Sequence, residues 1–364
     1  MSKSRSTFVL ILSLLMALVI SGCGDDTDTE EITVMTYNVY LGGATELIFA
    51  LPSDDPTLLR TIAQVYQQIV DSDYQSRAEA IADSIKAHRP HLVGLQEITL
   101  MRSVESTETP SIYMNFLPML MNALGDEYRA VASINNTEAT LPLLGAVLDP
   151  EYKTDILNDS TCQAHMLSGC LYVSTVFSDV MLARSDVEVS NIEAENYTTT
   201  LPSDLGFAAT RGYVALDATV SGAVYRVVDT HLEAFHPDIR KAQAAELVAI
   251  LADETMPLIL LGDFNSDADL PGEVYSLLTA AGYEDVWQGG PDTGLTCCQS
   301  PDLDNEASQL ARRIDHIFVR NVDLASAMTE TVGDQPEDRV VSSVTNVEMW
   351  PSDHAGVVAE LSIR

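Results

Sequence analysis

Residues 258–265 read Leu258-Ile259-Leu260-Leu261-Gly262-Asp263-Phe264-Asn265. Four consecutive apolar residues suit a strand buried on both faces, as in the centre of an α/β sheet. The Gly-Asp-Phe-Asn that follows is turn chemistry, since Asp and Asn side chains bond nearby backbone. The stretch predicts a central strand ending in polar groups. Just upstream, Pro237 opens a helix expected to reach about Asp253, with Ile239, Leu247, Val248 and Leu251 apolar. Further back, Arg211 to Val220 and Val224 to Leu232 pair as a hairpin across Ser221-Gly222. Ile32 to Val39 is β-branched and aromatic, a strand. Tyr74 to Arg89 carries Ala78, Ile81, Ala82 and Ile85 at helical spacing, and Pro90 stops it. His91 to Leu95 reads as a short buried strand, and Ile314 to Val319 and Val357 to Leu361 complete the sheet pattern. The alternation predicts one continuous α/β domain over 32–364. Stretches near 42–73 and 101–174 read as insertions, which usually rim or cover a site.

The first residues have the form of a targeting segment. Lys3 and Arg5 precede 13 largely apolar residues, Phe8 to Ile20, too few for a membrane span of about 20. Ile20-Ser21-Gly22-Cys23 resembles the lipobox of bacterial lipoproteins. The resemblance implies a signal peptide over 1–22, lipid attachment at Cys23 and an acidic tether over 23–31. The protein is then expected to be exported and held by its lipid on the periplasmic face or cell surface. No later stretch reaches 18 uninterrupted apolar residues.

Composition narrows the partners. The chain has 364 residues, 46 % hydrophobic and 20 % charged, which is globular composition. Asp and Glu number 54 against 19 Lys and Arg, for a formal net charge of −35. Non-specific nucleic-acid binding draws on phosphate neutralisation, so this balance excludes a protein that coats DNA. It is compatible with an enzyme that grips one phosphate through a metal. The cysteines beyond the leader are Cys162, Cys170, Cys297 and Cys298. Outside the cytosol they are disulfide candidates, with three pairings open, including Cys297 with Cys298. A zinc site is the alternative, without histidines at finger-like spacing to favour it.

The informative residues gather where strands end: Tyr37-Asn38, Gln96-Glu97, Thr230-His231, Gly262-Asp263-Phe264-Asn265, Arg313-Ile314-Asp315-His316 and Ser352-Asp353-His354. Polar groups at strand ends of an α/β protein converge on one crevice. Their order resembles the endonuclease/exonuclease/phosphatase superfamily, from Tyr37-Asn38 to Asp353-His354. Arg211-Gly212 and Gly294-Leu295-Thr296 fit the same pattern, although Cys297-Cys298 stand where that family has an aromatic.

The resemblance implies a four-layer sandwich of two mixed β-sheets flanked by helices. It implies phosphoester hydrolysis with Mg²⁺ or Mn²⁺, with water attacking phosphorus. Glu97 is then the principal metal ligand, Asn38 and Asp353 lie nearby, and Asp263 shares a second ion. Asp263 and Asn265 would orient or deprotonate the water. His354 would sit beside the phosphate with its other nitrogen held by Asp315. His231 would touch a phosphate oxygen or assist the leaving group. His316 reads as structural, and Glu233 and His236 as surface residues. The expected substrate is a phospholipid head group or small phosphoester ahead of DNA or RNA, and the expected state is a monomer. The rival readings are a secreted nuclease and a non-catalytic surface-binding lipoprotein. Loss of Glu97, Asp263, His231 or His354 would have favoured the latter, and all four are present.

Overall fold

In a computed structural model, the structure describes residues 29–104, 111–143, 171–203, 205, 207–268, 273–289 and 293–364. The expected signal peptide, Cys23, most of the tether, Cys162 and Cys170 lie outside the described residues. β1 (Glu30–Asn38) leads through α1 (Glu46–Phe49) and α2 (Leu58–Asp71) to α3 (Tyr74–His88). Next come β2 (Leu92–Val104), β3 (Ser111–Asn115), α4 (Phe116–Leu124), β4 (Tyr128–Leu143) and β5 (Leu171–Arg184). β6 (Glu188–Asn196), β7 (Leu201–Pro202), β8 (Ala208–Ala209), β9 (Gly212–Val220), β10 (Ala223–His231) and α5 (Pro237–Ile250) follow. Then come β11 (Leu258–Asp263), α6 (Glu273–Ala280), β12 (Glu284–Asp285), β13 (Asp315–Arg320) and β14 (Leu324–Val332). β15 (Val340–Val341), β16 (Glu348–Met349) and β17 (Gly356–Ile363) end the series.

The large strands form two mixed sheets, ordered β14-β17-β1-β2-β5-β4, with β3 on β2, and β12-β13-β11-β10-β9-β6. Their inner faces meet through Ile32, Val34, Leu92, Leu216, Val227, Ile259, Leu261 and Val357. Each such buried aliphatic side chain contributes roughly 1.5–3 kcal/mol. α3 and α4 cover the first sheet through Ala78, Ile81, Ile85, Phe116 and Leu120. α5 and α6 cover the second through Ala244, Leu247, Val274 and Leu278. This is the four-layer sandwich expected from the sequence. No helix among the described residues is long and apolar enough to cross a membrane.

Local chemistry explains the boundaries. α3 starts at Asp73, whose carboxylate accepts from the Ser76 backbone N–H, and stops before Pro90. The β9–β10 turn is Ser221-Gly222, with φ of +52° and +95°, as a two-residue type I′ hairpin requires. Within the 101–174 stretch, read as an insertion, the described residues 101–104, 111–143 and 171–174 carry regular structure. β2 runs on to Val104, β4 pairs along β5, and α4 packs into the outer core. Polar residues such as Asn135, Asn136 and Glu138 interrupt the apolar pattern of β4, so its alternation is weak. Within 42–73, α1 and α2 build a side core through Ile48, Ile62, Val65 and Ile69.

Candidate active site

Strand register brings the polar strand ends together. β1 and β2 run parallel with Asn38 beside Gln96. β10 and β11 run parallel with His231 beside Asp263, and β11 faces β13 with Asp263 opposite Asp315. β17 is antiparallel to β1, so Asp353 and His354 arrive just before β17 at the same end. At Glu97 the β2–β5 register slips between Leu95 and Ile98, and Glu97 itself has φ +63°. A non-glycine residue there costs on the order of 1–2 kcal/mol, and such bulges re-aim side chains. The Glu97 carboxylate is held by the Leu41 backbone N–H at 2.9 Å and the Asn38 amide at 3.2 Å.

A cavity of about 380 Å³ opens over these residues, lined by Glu97, His231, Asp263, Asn265, Asp353 and His354 among others. Asp263 is central. Its Oδ2 accepts from Asn38 Nδ2 at 3.0 Å and lies 3.5 Å from His231 Nε2 and 3.9 Å from His354 Nε2. Its Oδ1 accepts the Asn265 backbone N–H at 2.8 Å. Asp315 stands behind His354, 2.8 Å from Nδ1, and its backbone N–H is bound by Thr296 Oγ1. Thr296 thus serves as a brace for Asp315. Asn38 is also behind the cavity. Its Oδ1 accepts from Tyr40 N–H, so it points a donor, not a ligand oxygen, at Glu97 and Asp263.

The two histidines are in opposite electrostatic states. Burial pulls the His354 imidazole down, but Asp315, Asp353 and Asp263 outweigh it and raise its pKa well above the ordinary value. Burial, reinforced by Arg211, pushes His231 down to about 4 against the pull of Asp263 and Glu97. One ring is therefore cationic and the other neutral near pH 7. Burial also lifts Asp353 to about 7, against His354 and with help from Glu97 and Asp263.

The carboxylates suit a cation. Asp353 Oδ1 is buried with no hydrogen-bond partner, beside a crowd of like charges. Glu97, Asp263 and Asp353 offer the hard oxygens that Mg²⁺ or Mn²⁺ takes. Two tighter groupings fit less well. In Asp263, Asp315 and His354, two members already bond each other. In Cys297, Cys298 and His354, the soft sulfurs suit neither Mg²⁺ nor Mn²⁺.

Among the functional neighbours, Asp179 carried no sequence signal and Glu233 read as a surface residue, whereas Arg211 belongs to the Arg211-Gly212 pattern. Asp179, in the middle of β5, reaches within 3.7 Å of His231 Nδ1 and accepts from Asn136 Nδ2 at 2.6 Å. Arg211 stands 3.1 Å from the same nitrogen and 3.7 Å from Glu233. Glu233, expected at the surface, is fully buried, because its charge faces Arg211 and it caps the Phe235 backbone N–H. His316 is buried between Arg313 and the Ser266 carbonyl, consistent with a structural part.

The model of the Endonuclease/Exonuclease/phosphatase family matches residues 157–354. The span includes His231, Asp263, Asn265 and Asp315 and ends at His354, with Asn38 and Glu97 outside it. No curated protein matches the chain. Among solved structures, an endonuclease/exonuclease/phosphatase family protein from Bacteroides thetaiotaomicron is 16 % identical with TM-score 0.53, over 92 % of this chain and 99 % of that one. A mannosyl-6-phosphatase from Bacteroides thetaiotaomicron is 16 % identical with TM-score 0.50, over 91 % and 99 %. TDP2 from C. elegans is 18 % identical with TM-score 0.50, over 92 % and 76 %. Likenesses at this identity establish the fold.

Proposed function

Because the chain belongs to the endonuclease/exonuclease/phosphatase family, whose members are phosphoester hydrolases, we propose that it is a divalent-metal-dependent phosphodiesterase or phosphatase acting outside the cytoplasm. The observation that carries this reading is one cavity holding both a carboxylate cluster suited to a cation and a histidine kept cationic by Asp315. Glu97 and Asp353, with Asp263, would hold Mg²⁺ or Mn²⁺, which supplies charge neutralisation for the phosphate.

The protein's own groups divide the remaining work. His354 Nε2–H donates to a phosphate oxygen and steadies the charge that grows there. Asp263 Oδ2, between both imidazoles and the Asn38 amide, orients the attacking water and accepts its proton. Asn265 fixes Asp263 through its backbone N–H. Neutral His231 sits where it can bond a second phosphate oxygen or the leaving oxygen. Export rests on the leader, with Cys23 as the lipid-bearing residue and 32–364 as the catalytic domain. The fold neighbour named as a mannosyl-6-phosphatase supports phosphate-ester chemistry on this scaffold.

The test is a panel of bis-4-nitrophenyl phosphate, sphingomyelin, inositol phosphates and plasmid DNA, with Mg²⁺, Mn²⁺ or EDTA. Hydrolysis of a phosphoester that EDTA abolishes and Mg²⁺ or Mn²⁺ restores is expected. Full activity in EDTA sinks the metal assignment.

A further inference from the structure

The cavity has a second wall that the chemistry above does not use. Phe49, Phe177 and Phe235 line the same cavity as His231 and His354. Phe49 packs edge-on against Phe207 at 5.7 Å and tilted against Phe235 at 5.4 Å. A narrow apolar annex continues from Phe49 and Phe177 between Ile48, Val65 and Phe207. Phe235 remains 41 % exposed, and Leu47, on the same α1 as Phe49, 50 % exposed. Water-facing aromatics beside a polar centre are costly unless something apolar comes to cover them.

The wall is rigidly placed. The Phe235 backbone N–H is held by buried Glu233 at 2.8 Å, and Arg240 binds the carbonyls of Glu233 and Ala234. The ring thus rides on the segment that leaves His231. Cationic lining is scarce. Arg211 is committed to His231 and Glu233, and Arg312 lies against the Cys297–Cys298 sulfurs. Glu46, Glu97, Asp179, Asp263 and Asp353 line the same space. A polyanion would find no basic track here, since strands are gripped through their phosphates.

We propose that this aromatic wall is a subsite for an uncharged apolar group, an aryl ring or an aliphatic chain, esterified to the phosphate that sits between His231 and His354. The inference rests on the phosphoester reading and names its substrate class: the phosphoester of an apolar alcohol, not a nucleic acid.

The test uses methyl, hexyl and benzyl 4-nitrophenyl phosphates, which share one leaving group, assayed by kcat/KM on the full protein with its metal. Hexyl or benzyl is expected to exceed methyl by about tenfold or more, from burial of the added apolar area. A hexyl preference assigns a chain and a benzyl preference an aryl ring. Phe235→Ala, at a half-exposed site, and Phe49→Ala should compress that ratio to within about threefold. Val344→Ala, an exposed apolar residue outside the cavity, should leave it unchanged. Turnover of all three esters at equal kcat/KM overturns the subsite while the hydrolase reading stands. No turnover of these three diesters, with hydrolysis elsewhere in the substrate panel above, overturns the subsite alone; no hydrolysis in either assay overturns both. Plasmid DNA cleaved more efficiently than the hexyl ester also overturns the subsite.

Discussion

His354 Nδ1 lies 2.8 Å from Asp315 Oδ2, and both side chains are buried. The neighbouring carboxylate keeps the ring charged where burial alone would neutralise it. Asp315→Asn keeps the shape and removes that charge, so the His354 pKa falls. The imidazolium is the working form, present below its pKa and lost as pH rises through it. The high-pH limb of kcat/KM should therefore move to lower pH, with a rate loss of roughly 10²–10⁴-fold. His231→Ala should lower the rate without moving that limb, because His231, pushed down to about 4, is already neutral there. Asp315→Asn/His354→Ala should be little worse than His354→Ala, since coupled residues fail as a unit. Additive losses would refute the pairing.

The carboxylate cluster makes metal and stability interdependent. Asp353 is raised by burial to about 7, so the folded metal-free protein holds a proton that the unfolded chain releases near pH 4. That contribution to stability is present below the unfolded pKa and fades as pH rises towards 7. Asp353→Asn should raise the metal-free Tm at pH 8 and leave it unchanged at pH 4. Mg²⁺ should raise the wild-type Tm at pH 8 and do so less in Asp353→Asn and Glu97→Gln. Calorimetric scans across pH and Mg²⁺ decide this, and a Tm of Asp353→Asn equal to wild type at pH 8 contradicts it.

Arg77, fully buried on α3, ties the two loops that carry the site. Its Nη1 donates to Val39 O at 2.8 Å and Pro351 O at 2.9 Å, its Nη2 to Tyr40 O, and its Nε to Ser72 O. Arg77→Met removes donors from four buried carbonyls and should cost about 3–5 kcal/mol. It should also lower kcat at temperatures where the variant stays folded, because Asn38 and His354 lose their common tether. Urea denaturation followed by kinetics tests both parts, and an unchanged midpoint contradicts the clamp.

Cys23→Ala should leave the protein unprocessed by the lipoprotein pathway and abolish labelled fatty-acid incorporation. One acyl chain gives only marginal membrane binding, so a stable anchor implies a multiply acylated N-terminus. Label retained on the variant would place the lipid elsewhere.

The strand ends were readable because turn residues mark them: Gly262-Asp263 and Ser352-Asp353 stand out against apolar runs. The second half of the site was not. Asp179 sits inside a strand, and only the pairing of β5 with β2 across the Glu97 bulge brings it to His231. Glu233 and Arg211 are charges whose burial depends on each other, 22 residues apart in sequence; the Arg211-Gly212 pattern marked one of them, and nothing marked its partner. Arg77 falls between two apolar helix positions, where an arginine ordinarily faces water. β4 escaped because its polar residues face other polar residues, such as Asn136 with Asp179.

β17 lies between β14 and β1, in the interior of the first sheet, and Ser352 Oγ reaches Asn38 O at 2.7 Å across 314 residues of sequence. Such distant pairings form late, after the entropy of a long loop has been overcome. A chain still emerging from a ribosome holds Asn38 and Glu97 but not yet Asp353 and His354. A cut before residue 353 therefore removes an interior strand of the first sheet together with Asp353 and His354, so core and pocket are lost in one event.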